Sequence, residues 1–169
     1  MTSAGLNSPH ARGPLSTRAI MQAVLMAMLP GIAAMTWFFG PGTLLNILFG
    51  GLVALALEGG VMMLRRRNAG FYLRDYSVLV TSTLLCVALP PYAPWWLLTL
   101  GIGAAVLLGK HVFGGLGYNP FNPAMVGYVV LLISFPLQMS TWIAPRGIVE
   151  PPGVLAAFEA LVGGVAAID

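Results

Sequence analysis

Leu44-Leu45-Asn46-Ile47-Leu48-Phe49-Gly50-Gly51-Leu52-Val53-Ala54-Leu55-Ala56-Leu57-Glu58-Gly59-Gly60-Val61-Met62-Met63-Leu64 runs for 21 residues with Glu58 as its one charged side chain. A helix of that length rises about 30 Å, the thickness of a bilayer's hydrocarbon core, so the stretch reads as a membrane span. The composition agrees. Of 169 residues 58% are apolar and only 8% charged, with a mean hydropathy of +0.87. A soluble globule of that make-up could not cover its surface with polar groups, and the expected fold class is an all-α integral membrane protein. The net charge of +3 comes from arginines beside apolar runs, not from a basic face interleaved with stacking aromatics, which argues against nucleic-acid binding. Cys86, the single cysteine, lies in an apolar run, so the sequence offers neither an intrachain disulfide framework nor a Cys-only metal site.

Working outward, hydropathy marks residues 20–39 before this span and 76–89, 95–109, 123–135 and 154–168 after it. About five to six transmembrane helices are expected. The runs 76–89, 95–109 and 123–135 hold 14, 15 and 13 residues, short of the roughly 20 a span needs. Two explanations stand: flanking residues such as Arg74 and Trp95 reach the interface, or the short pieces are helices broken beside a buried site. Connecting loops are short, which gives an N-terminal cytoplasmic segment, 1–18, and one transmembrane domain, 19–169, without an internal repeat. With the N-terminus cytoplasmic, Arg12, Arg18, Arg65, Arg66, Arg67, Arg74 and Lys110 share that side and Arg146 alone falls opposite. That is a positive-inside pattern. The turns at 40–42 and 90–94 carry no positive charge and face the far side. The basic residues ahead of the first run also suit a cleaved signal peptide, but the apolar run continues too far, to Phe39.

Several residues carry both a packing and a functional reading. Pro30-Gly31 removes a backbone hydrogen bond inside the first span and reads as a packing kink. Met62-Met63 and Trp95-Trp96 read as packing and interface anchors. Glu58 is a carboxylate within a span, which costs roughly 2.5–3.5 kcal/mol to insert, so it should face protein, water or a partner. Either it is relieved by Arg65-Arg66-Arg67 two turns on, or it belongs to a cation or proton pathway.

The polar loop Gly109-Lys110-His111-Val112-Phe113-Gly114-Gly115-Leu116-Gly117-Tyr118-Asn119-Pro120-Phe121-Asn122-Pro123-Ala124 is the strongest candidate site. Its glycines permit close approach, and each Asn-Pro step disfavours helix at the asparagine and favours a helix start at the proline. Lys110 and His111 supply positive charge, and Asn122 places a helix N-terminus behind them. Lys110, His111, Gly114, Gly115, Asn119 and Asn122 together suit an electron-rich ligand such as a flavin or a quinone head. The bland alternative is an interface anchor followed by capping asparagines. The sequence offers no catalytic residues and no metal-ligand set.

That loop, with Ser8-Pro9-His10, Leu29-Pro30-Gly31, Arg74-Asp75-Tyr76-Ser77 and Ser134-Phe135-Pro136-Leu137-Gln138-Met139-Ser140-Thr141-Trp142, resembles the RnfD family of membrane subunits and the related NqrB. The resemblance runs through most of 8–142. It implies the N-terminal half of a membrane subunit of an Rnf (Rsx) ion-translocating ferredoxin:NAD oxidoreductase, working in the bacterial inner membrane with subunits A, B, C, E and G. Such a subunit relays electrons through flavin, coupled to Na⁺ or H⁺ movement, and is not catalytic alone. Family members carry FMN on a threonine in a Ser-Gly-Ala-Thr-like motif. No such motif occurs here, and Thr141 does not match it. By analogy with NqrB, a non-covalent riboflavin maps to the loop around Asn119 and Asn122. A channel or solute transporter with Asn-Pro-capped broken helices is the competing class, although its two boxes belong in separate halves of a chain. A purely structural membrane subunit is the third.

Overall fold

In the computed structural model, residues 16–67, 70, 73–113 and 118–163 are described. Among them every regular element is helical. Helix α1 spans Thr17–Phe39 and α2 spans Gly42–Leu64. Then come α3 (Ser77–Ala88) and α4 (Trp95–Gly103), which continues as a π-helical segment over Ala104–His111. Helix α5 (Pro123–Ser134), the single-turn α6 (Pro136–Ser140) and α7 (Val154–Gly163) complete the set. The apolar runs thus became helices within a few residues of the expected limits. Residues 164–169, the end of the last expected run, lie outside the described residues, as do 1–15 of the N-terminal segment.

Among the described residues, only α1 and α2 are long and apolar enough to cross a bilayer. At 23 residues each they rise roughly 35 Å, whereas the 12-residue helices α3 and α5 rise roughly 18 Å. Helix α1 starts on a side-chain cap, the Ser16 hydroxyl accepting from Ala19 N at 3.2 Å, and runs unbroken through Pro30. None of its residues is fully buried. Helix α2, by contrast, packs most extensively against α3 and also against α4, and the core forms between these elements and α5. Leu85, Leu97, Leu98, Ile102, Val106 and Leu131 are its fully buried centre.

Hydrogen bonds sort the loops to two ends of the bundle. At one end, Asn46 Nδ2 on α2 donates to Pro90 O at 3.0 Å, tying the α1–α2 turn to the turn before α4. Arg146 N donates to Phe38 O at 2.7 Å, so the 141–152 segment returns to the same end. At the other end, Arg65 reaches His111 O at 2.9 Å and Arg18 reaches the Tyr76 hydroxyl at 3.3 Å. Arg18, Arg65 and Lys110 therefore gather at one end while Arg146 sits opposite, as the charge pattern requires; Arg12 lies outside the described residues.

Tyr92 clips the Arg146 end together. Its hydroxyl lies 3.0 Å from both Phe39 O and Pro152 O and shares its proton between them. Gly40, at φ +84°, leaves the room: a Cβ there would stand 2.5 Å from that hydroxyl oxygen. Tyr92→Phe should cost about 1 kcal/mol, read as faster proteolysis of the 141–152 segment with the helices intact. Burial pushes the Tyr92 phenol above its ordinary value. The folded state therefore holds this proton to higher pH than the unfolded chain does, and Tyr92 loses its stabilising effect as pH rises past about 10.

Candidate functional site

The last turns of α2, the end of the π segment and the start of α3 converge around Glu58. It sits on α2 about a turn and a half before the helix ends, and it is 1% exposed. Lys110 Nζ donates to Glu58 Oε1 at 2.8 Å, and His111 Nε2 lies 2.9 Å from Oε2. Lys110 and His111 are themselves 3% and 4% exposed. Two consecutive residues reach one carboxylate because they close the π segment, whose wider turn ends on an i→i+5 bond from Val112 N to Leu107 O, 3.0 Å. Such turns recur at functional sites. Gly109 lets this end seat against α5, since a Cβ there would lie 2.8 Å from Pro123 Cα.

A second layer comes from the start of α3. Ser77 Oγ accepts from Lys110 Nζ at 2.9 Å and donates to Asp75 Oδ1 at 2.7 Å, while Ser77 N donates to the same oxygen at 2.8 Å. Asp75 thereby caps the first turn of α3 and anchors the lysine's second partner. Between them Tyr76 takes left-handed geometry at φ 62°, a conformation that costs a side-chain-bearing residue about 1–2 kcal/mol and that the flanking bonds must hold.

The arrangement corrects one expectation. Glu58 is not relieved by the Arg65-Arg66-Arg67 run; both its oxygens belong to Lys110 and His111, and Arg65 instead donates to the His111 carbonyl. Lys110 likewise does not act as an exposed interface anchor. Its charge is satisfied inside the bundle, where an ion pair in low dielectric is far stronger than at a surface. In the sequence Asp75 and Ser77 belong to a stretch that carries the family resemblance and have no site role of their own, although Asp-x-Ser ahead of an apolar run is a helix-start signal.

The loop itself divides. Gly114 and Gly115 lie outside the described residues. Asn122 is the N-cap of α5, its Oδ1 accepting from Ala124 N at 2.9 Å with Pro123 at the first helical position. Of the two Asn-Pro steps, only this one opens a described helix, which leaves the paired half-helices of a channel without a basis here. Asn119 Oδ1 is buried without a hydrogen-bond partner among the described residues. It borders a cavity of about 180 Å³ lined also by Ser77, Thr81, Lys110, Asn122 and Pro123. Cofactor pockets run to roughly 300–1,000 Å³. A three-ring flavin therefore does not fit inside this cavity, and Lys110, His111 and Asn122 already spend polar atoms on internal partners. Of the cavity-lining candidates, Asn119 keeps an unpartnered Oδ1 among the described residues, flanked by Tyr118 and Phe121, which are 79% and 66% exposed.

Fold and site together define an all-helical membrane protein with a buried carboxylate–lysine–histidine cluster at its more basic end. Residues 6–167 match the NQR2, RnfD, RnfE family, and the chain belongs to it. Curated relatives named as the D subunit of the ion-translocating oxidoreductase complex include one from Ectopseudomonas mendocina, 53% identical over 88% of this chain and 43% of its own length. One from Pseudomonas aeruginosa (strain LESB58) is 54% identical, covering 91% of this chain and 45% of the relative. One from Vibrio cholerae (strain ATCC 39541) is 51% identical, covering 94% and 46%. The chain thus spans less than half the length of the curated relatives it matches.

Proposed function

We propose that this chain is the N-terminal part of an RnfD-type membrane subunit of an ion-translocating oxidoreductase, lying multi-pass in the bacterial inner membrane with its N-terminus cytoplasmic. Residues 1–18 form the cytoplasmic segment and 19–169 belong to the transmembrane domain. The observation that carries this reading is the 51–54% identity to proteins so named across nearly the whole chain. The buried cluster around Glu58 supports it, because an ionisable group sealed within apolar helices is costly even when paired, and such groups mark ion pathways. In this reading the partners are subunits A, B, C, E and G, and electrons pass between ferredoxin and NAD through flavins. Glu58 lies on the ion pathway. A flavin, FMN or riboflavin, supplies one-electron and two-electron chemistry when bound. This chain contributes to it the outer surface of the 118–122 loop, where exposed Tyr118 and Phe121 border the Asn119 side-chain oxygen and other chains complete the enclosure.

Co-expression of the full-length subunit with its five partners tests the reading. The complex should purify with this subunit present and transfer electrons from reduced ferredoxin to NAD. Replacing Asn119 and Asn122 together by Leu should lower its flavin content. If the asparagines only cap, the double variant loses about 1 kcal/mol at Asn122 while flavin content and turnover stay at wild-type levels, and the flavin assignment fails.

A further inference from the structure

Within the Glu58 cluster one nitrogen is unused. The His111 imidazole is 4% exposed, its Nε2 faces Glu58 Oε2, and its Nδ1 is buried without a hydrogen-bond partner among the described residues. A carboxylate only accepts, so Nε2 carries a hydrogen, and in the neutral ring Nδ1 is then the nitrogen that holds the lone pair. A buried acceptor left open in this way normally costs about 1–3 kcal/mol. Every other polar atom described at the centre of the cluster is committed: Glu58 Oε1 to Lys110, Oε2 to His111, and Ser77 Oγ to both Lys110 and Asp75.

We propose that His111 Nδ1 is a proton-binding site and that the ion taken up at this cluster is a proton, not a metal cation; this rests on reading the chain as part of an ion-translocating complex. A hard metal cation needs a cage of several oxygens. Here both carboxylate oxygens are already held, and an entering cation would meet the Lys110 ammonium directly. A proton needs one lone pair. It arrives from water at the basic end and bonds to Nδ1, giving an imidazolium with N–H on both nitrogens. The contact to Glu58 then becomes a charge-assisted bond, and release reverses the step without breaking any other bond.

The groups facing His111 make that binding reversible. Helix α2 contributes Glu58 and, at its end, the Arg65 guanidinium on the His111 carbonyl; the π segment contributes Lys110; the start of α3 contributes Ser77 and, behind it, Asp75. With a neutral imidazole, the carboxylates of Glu58 and Asp75 balance Lys110 and Arg65. A bound proton leaves one positive charge in excess, so nothing here traps it permanently.

His111→Gln removes the titrating nitrogen while keeping an amide donor for Glu58. The assembled complex, wild-type and variant, is compared by infrared difference spectroscopy as pH is lowered from about 8 to 5, the span in which imidazoles generally change charge. The proposal expects an imidazole-to-imidazolium band in the wild type that the variant lacks, and at least a tenfold loss of proton uptake by vesicles during electron transfer. Identical difference spectra, or wild-type proton uptake in the variant, overturn it. Should the Gln variant fail to assemble, wild-type vesicles decide. Proton uptake that persists without Na⁺ supports the assignment, and ²²Na⁺ uptake without proton uptake overturns it. The infrared readout needs no turnover, so a complex lacking oxidoreductase activity would sink the broader reading while His111 is still judged on its own.

Discussion

Glu58→Leu should destabilise the protein by about 3–5 kcal/mol, because it leaves the Lys110 ammonium and the His111 imidazole sealed in the bundle without their shared acceptor. Ser77 alone cannot replace a carboxylate for a lysine that is 3% exposed. Lys110→Met should cost less. It leaves Glu58 with His111, which can supply a charge by taking up a proton. The double variant Glu58→Leu/Lys110→Met should recover much of the single-variant loss, since replacing a buried pair by apolar groups of similar volume is often neutral. Cys86 gives the measurement: it is the chain's single cysteine and fully buried, so a thiol-reactive fluorophore lights up only as the helices come apart. A double variant no more stable than Glu58→Leu would show that the pair is not the source of the effect.

The helices were legible because lipid-facing helices announce themselves by apolar length, and the two-ended arrangement was legible because arginines mark one side. Asn122 was legible too, since a cap depends on its own neighbours in sequence. The cluster was not. Glu58 meets Lys110 across 52 residues, and its local surroundings offered the arginine run as a nearer partner. What decided otherwise was the π turn, which swings Lys110 and His111 to the same side; hydropathy and spacing carry no sign of that widening. Two facts in the sequence did point the right way. One apolar run holds a single acid and another ends in Lys-His, and in an apolar medium such groups must find each other. The site role of Ser77 and Asp75 was not legible, because a serine and an aspartate at a helix start have an ordinary local explanation, which is also true here and hides their link to Lys110.

The second large effect should come from a residue with no side chain at all. Gly127 sits in the middle of α5 where that helix crosses α4, and a Cβ there would stand 2.5 Å from Gly101 O, 3.0 Å from Ala105 Cβ and 3.1 Å from Leu85 Cδ2. Its nearest neighbour is backbone, which cannot turn aside. Gly101 also has no room, but the atom in the way is the end of the Leu131 side chain, 2.5 Å off, and a rotamer change can clear it. Alanine gains about 0.5–1 kcal/mol over glycine in a helix interior, and overpacking costs typically 1–3 kcal/mol. Gly101→Ala should therefore come out near neutral. Gly127→Ala should lose about 2 kcal/mol net, by the same cysteine-exposure measurement. Because α5 also abuts the π segment through Gly109 and Pro123, the displacement should reach Lys110 and His111. The Gly127→Ala complex should then lose ion movement in vesicles more steeply than electron transfer. Equal losses for the two glycine variants would mean that α4 and α5 can slide apart freely, and that their close crossing does not set the geometry around Glu58.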